Sequence, residues 1–251
     1  MNNLQGKVAI VTGGGRDIGR QISILLAKAG AKVCFNYFDS EEQAAETKEM
    51  IAEAGGEAIA VQGDMTKADQ VQKMVSACVE QFGQQIDIVV NVVGGLVARK
   101  TIEEMDVEFW DFVMDVNLKS AFLVSKYSVP FMSPGGAIVN FSSQAARDGG
   151  GPGAIAYATA KGAVLTFTRG LAKELGPKGI RVNAVSPGMI ATTFHDTFTK
   201  SEVREKVAGM TPLRREGKAE EVAELVKFLA SPEASFVTGA SMEINGGTYF
   251  I

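Results

Sequence analysis

Histidine occurs once in this 251-residue chain, at His195, and cysteine only twice, at Cys34 and Cys78. A metal centre assembled from several His and Cys ligands cannot be built from so few donors, which argues against zinc-dependent chemistry. A Ser-His-Asp triad would have to use His195, and no G-x-S-x-G elbow accompanies it. The two cysteines are too few and too separated for a disulfide framework; each sits in an apolar-periodic segment and is expected to be a core thiol. Basic stripes and paired aromatic platforms are lacking, and the formal net charge is −4, which removes the electrostatic footprint of a nucleic-acid binder. No uninterrupted apolar stretch nears the length of a membrane span, and Met1 to Lys7 shows no basic flank ahead of a long apolar region. The expectation is a cytoplasmic protein with neither a membrane nor a nucleic-acid partner.

What is present is the composition of an ordinary globular protein, 46% hydrophobic and 22% charged, with no biased tract. The length suits one large domain over 1–251 and is too short for two generous ones. Short β-branched runs alternate with amphipathic stretches from end to end. Strands are expected at Lys7 to Thr12, Lys32 to Tyr37, Glu57 to Gln62, Ile86 to Asn91, Ala137 to Phe141, Ile180 to Val185 and Ser241 to Ile244. Helices are expected near 17–29, 40–54, 67–82, 107–130, 155–175 and 217–230. Such alternation demands right-handed crossovers, which bury a seven-stranded, mainly parallel sheet between helices on both faces: a single-domain, doubly wound α/β fold. Asp39-Ser40-Glu41-Glu42 has the Asp-x-x-Glu spacing of a capping box for the second helix, and Gly55-Gly56 closes that helix. The loop from Asp148 to Gly153 holds few side chains; it reads equally as a flexible turn and as a wall of a substrate mouth.

Two constellations carry chemistry. Val8-Ala9-Ile10-Val11 runs into Thr12-Gly13-Gly14-Gly15-Arg16-Asp17-Ile18-Gly19 and then a helix, an order that brings backbone N–H groups and a helix N-terminus to a pyrophosphate in a Rossmann dinucleotide site. The strict G-x-G-x-x-G spacing is absent; Gly13, Gly15 and Gly19 give G-x-G-x-x-x-G. Farther along, Tyr157 and Lys161 stand four residues apart and stack a phenol and an ammonium on one helix face. A phenol is a poor base at neutrality, and the nearby positive charge is expected to lower its pKa so that it exchanges protons with a substrate oxygen. Chance can supply such a pair, so its weight rests on its surroundings. Ser143 lies just beyond the strand at 137–141, at the carboxyl edge where open α/β sheets bind ligands, with Ser142 as its competitor.

These motifs resemble the short-chain dehydrogenase/reductase family over nearly the whole chain. Thr12, Gly13 and Gly19 are similar to its T-G-x-x-x-G-x-G, with Asp17 in the place of the second glycine. A carboxylate there should repel phosphates unless it points away, contacts a ribose hydroxyl or serves as an acid in the helix's first turn. Asp64 resembles the acid that contacts adenine, Asn91-Val92-Val93-Gly94 a weakened N-N-A-G, and Pro187-Gly188-Met189-Ile190-Ala191-Thr192 the P-G-x-x-x-T that closes over the nicotinamide. Val237-Thr238-Gly239 and Asn245-Gly246-Gly247 resemble the C-terminal pattern. The resemblance implies cofactor contacts from Gly13, Gly15, Arg16, Asp17, Ile18, Gly19, Tyr37, Asp64, Met65, Asn91, Gly94, Tyr157, Lys161, Pro187, Gly188, Ile190 and Thr192. It also implies a catalytic set of Asn117, Ser143, Tyr157 and Lys161. In that set hydride passes between the nicotinamide and a carbonyl carbon, Ser143 bonds the oxygen and Tyr157 exchanges the proton. Lys161 lowers the phenol's pKa and binds the ribose, while Asn117 holds a relay water.

An NAD site usually offers a carboxylate at the end of the second strand, whereas NADP needs positive charge for its 2′-phosphate. Phe35-Asn36-Tyr37-Phe38 leaves no acid at that place, Asp39 is accounted for by capping, and Arg16 offers a phosphate-matching fork, so NADP(H) is expected over NAD(H). The resemblance further implies a small carbonyl or alcohol substrate beneath a lid at 189–217, a segment that carries Phe194, His195, Phe198, Met210 and Leu213. His195 is expected to be a lid or surface residue. Arg99 and Lys100 either attract an acidic substrate or an acyl carrier protein, as in the related 3-oxoacyl carrier-protein reductases, or are simply solvated. Family members are commonly tetramers, which implies a homotetramer with the apolar end Thr248-Tyr249-Phe250-Ile251 between subunits. The alternative reading is a dinucleotide-sensing regulatory protein on the same fold, against which the retained Tyr157 and Lys161 count. Lyase and epimerase relatives need a larger C-terminal region than 251 residues allow.

Overall fold

The computed structural model describes residues 3–250. From β1 (Val8–Val11) the chain runs through α1 (Asp17–Lys28), β2 (Lys32–Tyr37), α2 (Glu41–Glu53), β3 (Glu57–Gln62), α3 (Ala68–Phe82) and β4 (Ile86–Asn91). It continues through α4 (Val107–Met114), α5 (Ser120–Ser128), β5 (Met132–Phe141), α6 (Ala145–Asp148), α7 (Ile155–Leu175) and β6 (Arg181–Pro187). The last elements are α8 (Thr193–Phe198), α9 (Ser201–Met210), α10 (Ala219–Ala230) and β7 (Ser241–Ile244). The strands form one sheet in the order β3-β2-β1-β4-β5-β6-β7, and each neighbouring pair is parallel.

Side chains alternate across a strand, so β1 sends Ala9 and Val11 to one face and Val8 and Ile10 to the other. The first pair joins Ile22 of α1, Ile51 of α2 and Val226 of α10. The second joins Met74 of α3, Val124 of α5 and Leu175 of α7. A strand covered on both faces needs no polar side, which is why the central strands read as near-continuous apolar runs. Cys34 and Cys78 lie in the second layer as fully buried free thiols. The hydrogen bond from Cys78, aided by burial, pushes the Cys34 thiol well above its ordinary range.

From β1 the chain builds outward to β2 and β3, then crosses back to β4 and builds the other way. Strand order therefore reverses between β1 and β4, and the carboxyl ends there open a crevice. Three local expectations need correction. Ser40, not Asp39, caps α2, its Oγ accepting from Gln43 N at 3.3 Å. The helix expected over 107–130 is interrupted by a π-helical turn at Asp115–Lys119, an irregularity frequent at functional sites. Strand β5 begins earlier than expected, because Met132 already pairs with Ile86 before the register shifts. The 189–217 segment carries α8 and α9. No helix among the described residues is long and apolar enough to cross a membrane.

Candidate active site

The turn from β1 into α1 is braced from two sides. Gly13 takes φ +63°, which glycine adopts without strain, and its N–H donates to Asn36 Oδ1 at 3.0 Å. Asn36 Nδ2 in turn donates to Gly63 O at 2.7 Å, so one buried amide ties the turn to the ends of β2 and β3. Thr12 Oγ1 accepts from Val92 N at 2.9 Å and Val93 N at 3.1 Å beyond β4. Helix α1 leaves so tightly that a Cβ on Gly19 would stand 2.0 Å from Gly13 O. Asp17 has φ +49°, and its carboxylate reaches across to α8, accepting from Thr193 N at 3.0 Å and from Thr193 Oγ1.

From this turn a cleft of about 840 Å³ runs across the strand ends. Gly13, Gly15, Arg16, Asp17, Ile18, Gly19, Tyr37, Asp64 and Met65 line it, together with Gly94, Ser143, Tyr157, Lys161, Pro187, Gly188, Ile190 and Thr192. Asp39 lines it too. The Asp64 carboxylate shapes the turn after β3, accepting from Thr66 N at 2.8 Å and Thr66 Oγ1 at 2.7 Å. Two residues picked from the sequence lie behind the wall. Asn91 is buried, donating to Asn140 Oδ1 at 2.8 Å and Ser125 Oγ at 3.2 Å, so its side chain braces the sheet. Asn117, in the π turn, clasps Gly95 by accepting from its N–H at 2.9 Å and donating to its carbonyl at 2.8 Å.

At the other end of the cleft, α7 presents Tyr157 and Lys161 one turn apart. Lys161 is 3% exposed; its Nζ donates to Phe141 O at 2.8 Å and lies 5.8 Å from the centre of the Tyr157 ring. Burial pulls its pKa from 10.5 to about 8. A Cβ on Gly94 would stand 2.6 Å from this Nζ and 2.6 Å from Asn117 Oδ1, so a side chain there would clash with both. Both serines line the cleft, but the Ser142 hydroxyl is spent on Lys161 O at 2.9 Å, whereas the Ser143 hydroxyl reaches Tyr157. Burial raises the Tyr157 phenol above its ordinary 10, and the Ser143 hydroxyl pulls it back. The lowering expected from Lys161 is not what governs this phenol. The ammonium is turned toward the Phe141 carbonyl, and loss of water around the ring oxygen dominates.

Helix α8 roofs this end. The Phe194 ring lies 6.0 Å from that of Tyr157 and 5.2 Å from that of Phe198. His195 Nδ1 is 3.0 Å from Thr199 Oγ1, and burial lowers its pKa. Beyond β4 the chain bends at Val97, a β-branched residue at φ +66°, with Ala98 N donating to Leu96 O at 2.8 Å. Such a conformation costs about 1–3 kcal/mol and sets the direction of Leu96 and Arg99, which line the cleft. Arg99 donates to Pro152 O at 2.9 Å, and Lys100 is paired with Asp106 at 2.8 Å. Sequence reasoning left Thr12 and Asn36 out of the site; a lone amide inside the apolar run of β2 was the signal that could have found the latter.

Comparison with known proteins agrees with this geometry. The family model described as Enoyl-(Acyl carrier protein) reductase matches residues 13–249. The 3-oxoacyl-[acyl-carrier-protein] reductase FabG of Staphylococcus aureus (strain Mu50) is 38% identical over 245 residues, 97% of this chain and 98% of that protein. Among solved structures, the NADH-dependent reductase A1-R′ responsible for alginate metabolism superposes with a TM-score of 0.91 at 32% identity, covering 100% of both chains. A short chain dehydrogenase from Burkholderia cenocepacia J2315 in complex with NADP does so with a TM-score of 0.90 at 34% identity, covering 98% of each.

The buried ammonium has a measurable signature. Its folded pKa of about 8 lies below the 10.5 of the open chain, so between those values the unfolded protein binds more protons and stability rises with pH. Urea denaturation through that window should show the wild type gaining about 1 kcal/mol per pH unit relative to Lys161→Met. Parallel pH dependences for the two proteins would contradict a desolvated Lys161.

Proposed function

The chain belongs to the short-chain dehydrogenase/reductase family of NAD(P)-dependent oxidoreductases, and from that premise we propose that it interconverts a ketone and a secondary alcohol, favouring NADP(H). The observation that carries the proposal is the meeting of Ser143, Tyr157 and Lys161 in the same cleft as the glycine turn. The turn suits a dinucleotide: Gly13 and Gly19 keep it bare enough for a backbone approach, and the start of α1 directs N–H groups into the crevice. Gly13, Gly15, Ile18 and Gly19 would hold the pyrophosphate, Asp64 and Met65 the adenine side, and Pro187, Gly188, Ile190 and Thr192 the nicotinamide side. When bound, the nicotinamide supplies or takes up a hydride.

The chain's own residues handle the oxygen and its proton. Ser143 holds the carbonyl oxygen by hydrogen bonding. The Tyr157 phenol, held above its ordinary range by burial, is protonated at neutral pH, and its hydroxyl hands a proton to that oxygen as negative charge develops there. Lys161, with a pKa near 8, still carries its charge at pH 7 and stabilises the negative oxygen beside the phenol. Asn117, in the π turn behind Lys161, holds the Gly95 backbone in place. The segment 189–217 serves as the lid, with Phe194 as its apolar roof.

Support for NADP(H) rests on Arg16, whose side chain is 59% exposed at the cleft with Asp17, its neighbouring acid at 3.8 Å, engaged with Thr193. Asp39 opposes it, since Ser40 does the capping and leaves Asp39 on the cleft wall. The related reductases act on acyl carrier protein conjugates; here Lys100 is neutralised by Asp106, so Arg99 alone would meet an acidic substrate or carrier. A homotetramer accounts for Phe250 at 79% exposure and Phe236 at 103%, apolar surface that a partner subunit would cover. Ile251, expected in the same contact, lies outside the described residues.

With NADPH and a panel of ketones, Tyr157→Phe should lose at least about a hundredfold in kcat while still binding NADPH. Undiminished turnover would overturn the assignment of the proton donor. Arg16→Ala should weaken NADPH by about tenfold and leave NADH unchanged, and Asp39→Asn should strengthen NADPH. A wild type that prefers NADH would reverse the cofactor assignment. Sedimentation should give a mass near four times 26.6 kDa; a monomer would remove the reason given for the exposed phenylalanines.

A further inference from the structure

We propose that Asp17 is a positioning residue that latches the 189–217 segment over the reacting end of the cleft, and that fastening this latch moves its carboxylate off the phosphate path. Only the identity of the nucleotide rests on the family reading given above; the latch is a property of the protein alone.

Asp17 sits at φ +49°, where glycine would stand without strain, and at the mouth of an anion site, where a carboxylate opposes phosphate. Both features count against an aspartate. What the side chain gains is contact across 176 residues of sequence: Thr193 donates to it through its N–H at 3.0 Å and through its hydroxyl. Thr193 opens α8, and an N–H in the first turn of a helix has no acceptor within that helix, so Asp17 caps α8 from outside. The next residue is Phe194, whose ring roofs Tyr157. A shift of α8 at its first residue therefore opens or closes the space above the phenol.

At its base the segment is held to α10 by Arg215 and Glu221 at 2.6 Å and to Gly246 O by Leu213 N at 3.3 Å, but the other ties of α8 itself are weaker or internal to the segment. At the far end of α8 the bond from Arg99 Nε to Phe198 O is 3.4 Å long. The ion pairs of Arg204 with Asp196 and Glu216 join parts of the segment to one another. At the base, Gly217 N donates to Met189 O at 3.0 Å, closing the two ends of the segment on each other. Asp17 thus connects the glycine turn to α8. With the latch fastened the carboxylate points at two donors; unfastened, it would face the phosphates. Nucleotide binding then favours the latched form, and by linkage the latched form favours the nucleotide.

Hydrogen exchange of the 193–198 amides, measured without nucleotide and again with NADPH, reads the latch directly. Asp17→Gly and Thr193→Val should each raise that exchange by about tenfold in the free protein, with no change in the sheet. Asp17→Asn, which tolerates the same backbone and keeps an acceptor, should raise it less. Asp17→Gly should also bind NADPH at least as tightly as wild type while the KM for a ketone rises, because the turn loses its acid and the roof loses its fastening. Unchanged 193–198 exchange in Thr193→Val and Asp17→Gly would overturn the proposal. Should Asp17→Gly fail to fold, Thr193→Val alone decides. A wild type that binds no nucleotide would defeat the functional reading, yet the exchange in the free protein would still judge the latch.

Discussion

Lys161 Nζ, 3% exposed and 2.8 Å from the Phe141 carbonyl, is a charge taken out of water and set at the end of a strand. Burying an ammonium costs several kcal/mol unless hydrogen bonds replace its water, and the fall of its pKa to about 8 records how much of that cost is unrelieved. Several features crowd around it. Gly94 stays without a side chain, the helix through Asn117 widens by a π turn, and Ser142 turns inward to hold the Lys161 backbone. With the Ser142 hydroxyl so engaged, Ser143 is the serine whose hydroxyl serves Tyr157.

The fold supplies the distances. Strands β1, β4, β5 and β6 end along one edge, delivering in turn the glycine turn, Gly94, Ser143 and the Pro187 to Thr192 stretch. Because these strands are rigid and buried on both faces, loops that differ in length and chemistry keep their spacing. Asp17 shows how such an arrangement can be tuned. A substitution in one loop, unfavourable on its own, becomes useful through a partner on another loop that the sheet holds within reach.

Much of this was legible in the sequence, for identifiable reasons. The bounds of β2, β3, β4, β7 and α7 were expected residue for residue, because apolar runs flanked by glycine, proline or charge leave little choice. The cap of α2 was misplaced by one residue, since Asp39 and Ser40 are both competent caps and only the backbone decides between them. The π turn was not visible, because its width answers to a carbonyl and an amide on other segments. Asn91 was expected at the cofactor, but side-chain direction at a strand end is set by packing, and Asn140 and Ser125 claim it. The Tyr157 phenol moved opposite to expectation, because spacing shows that a lysine is near but not how dry the site is. No local pattern could have paired Asp17 with Thr193.

The central claim is that the Tyr157 phenol holds its proton at neutral pH and so stands ready to give it to a substrate oxygen. The chain has four tyrosines, so labelling their ring carbons and titrating the protein by NMR, with Tyr157→Phe to identify the resonance, isolates this group. The account predicts that Tyr157 in the free protein titrates above pH 10, later than an exposed tyrosine. A phenolate already present near neutral pH would contradict it, and would mean that the Lys161 charge outweighs burial after all.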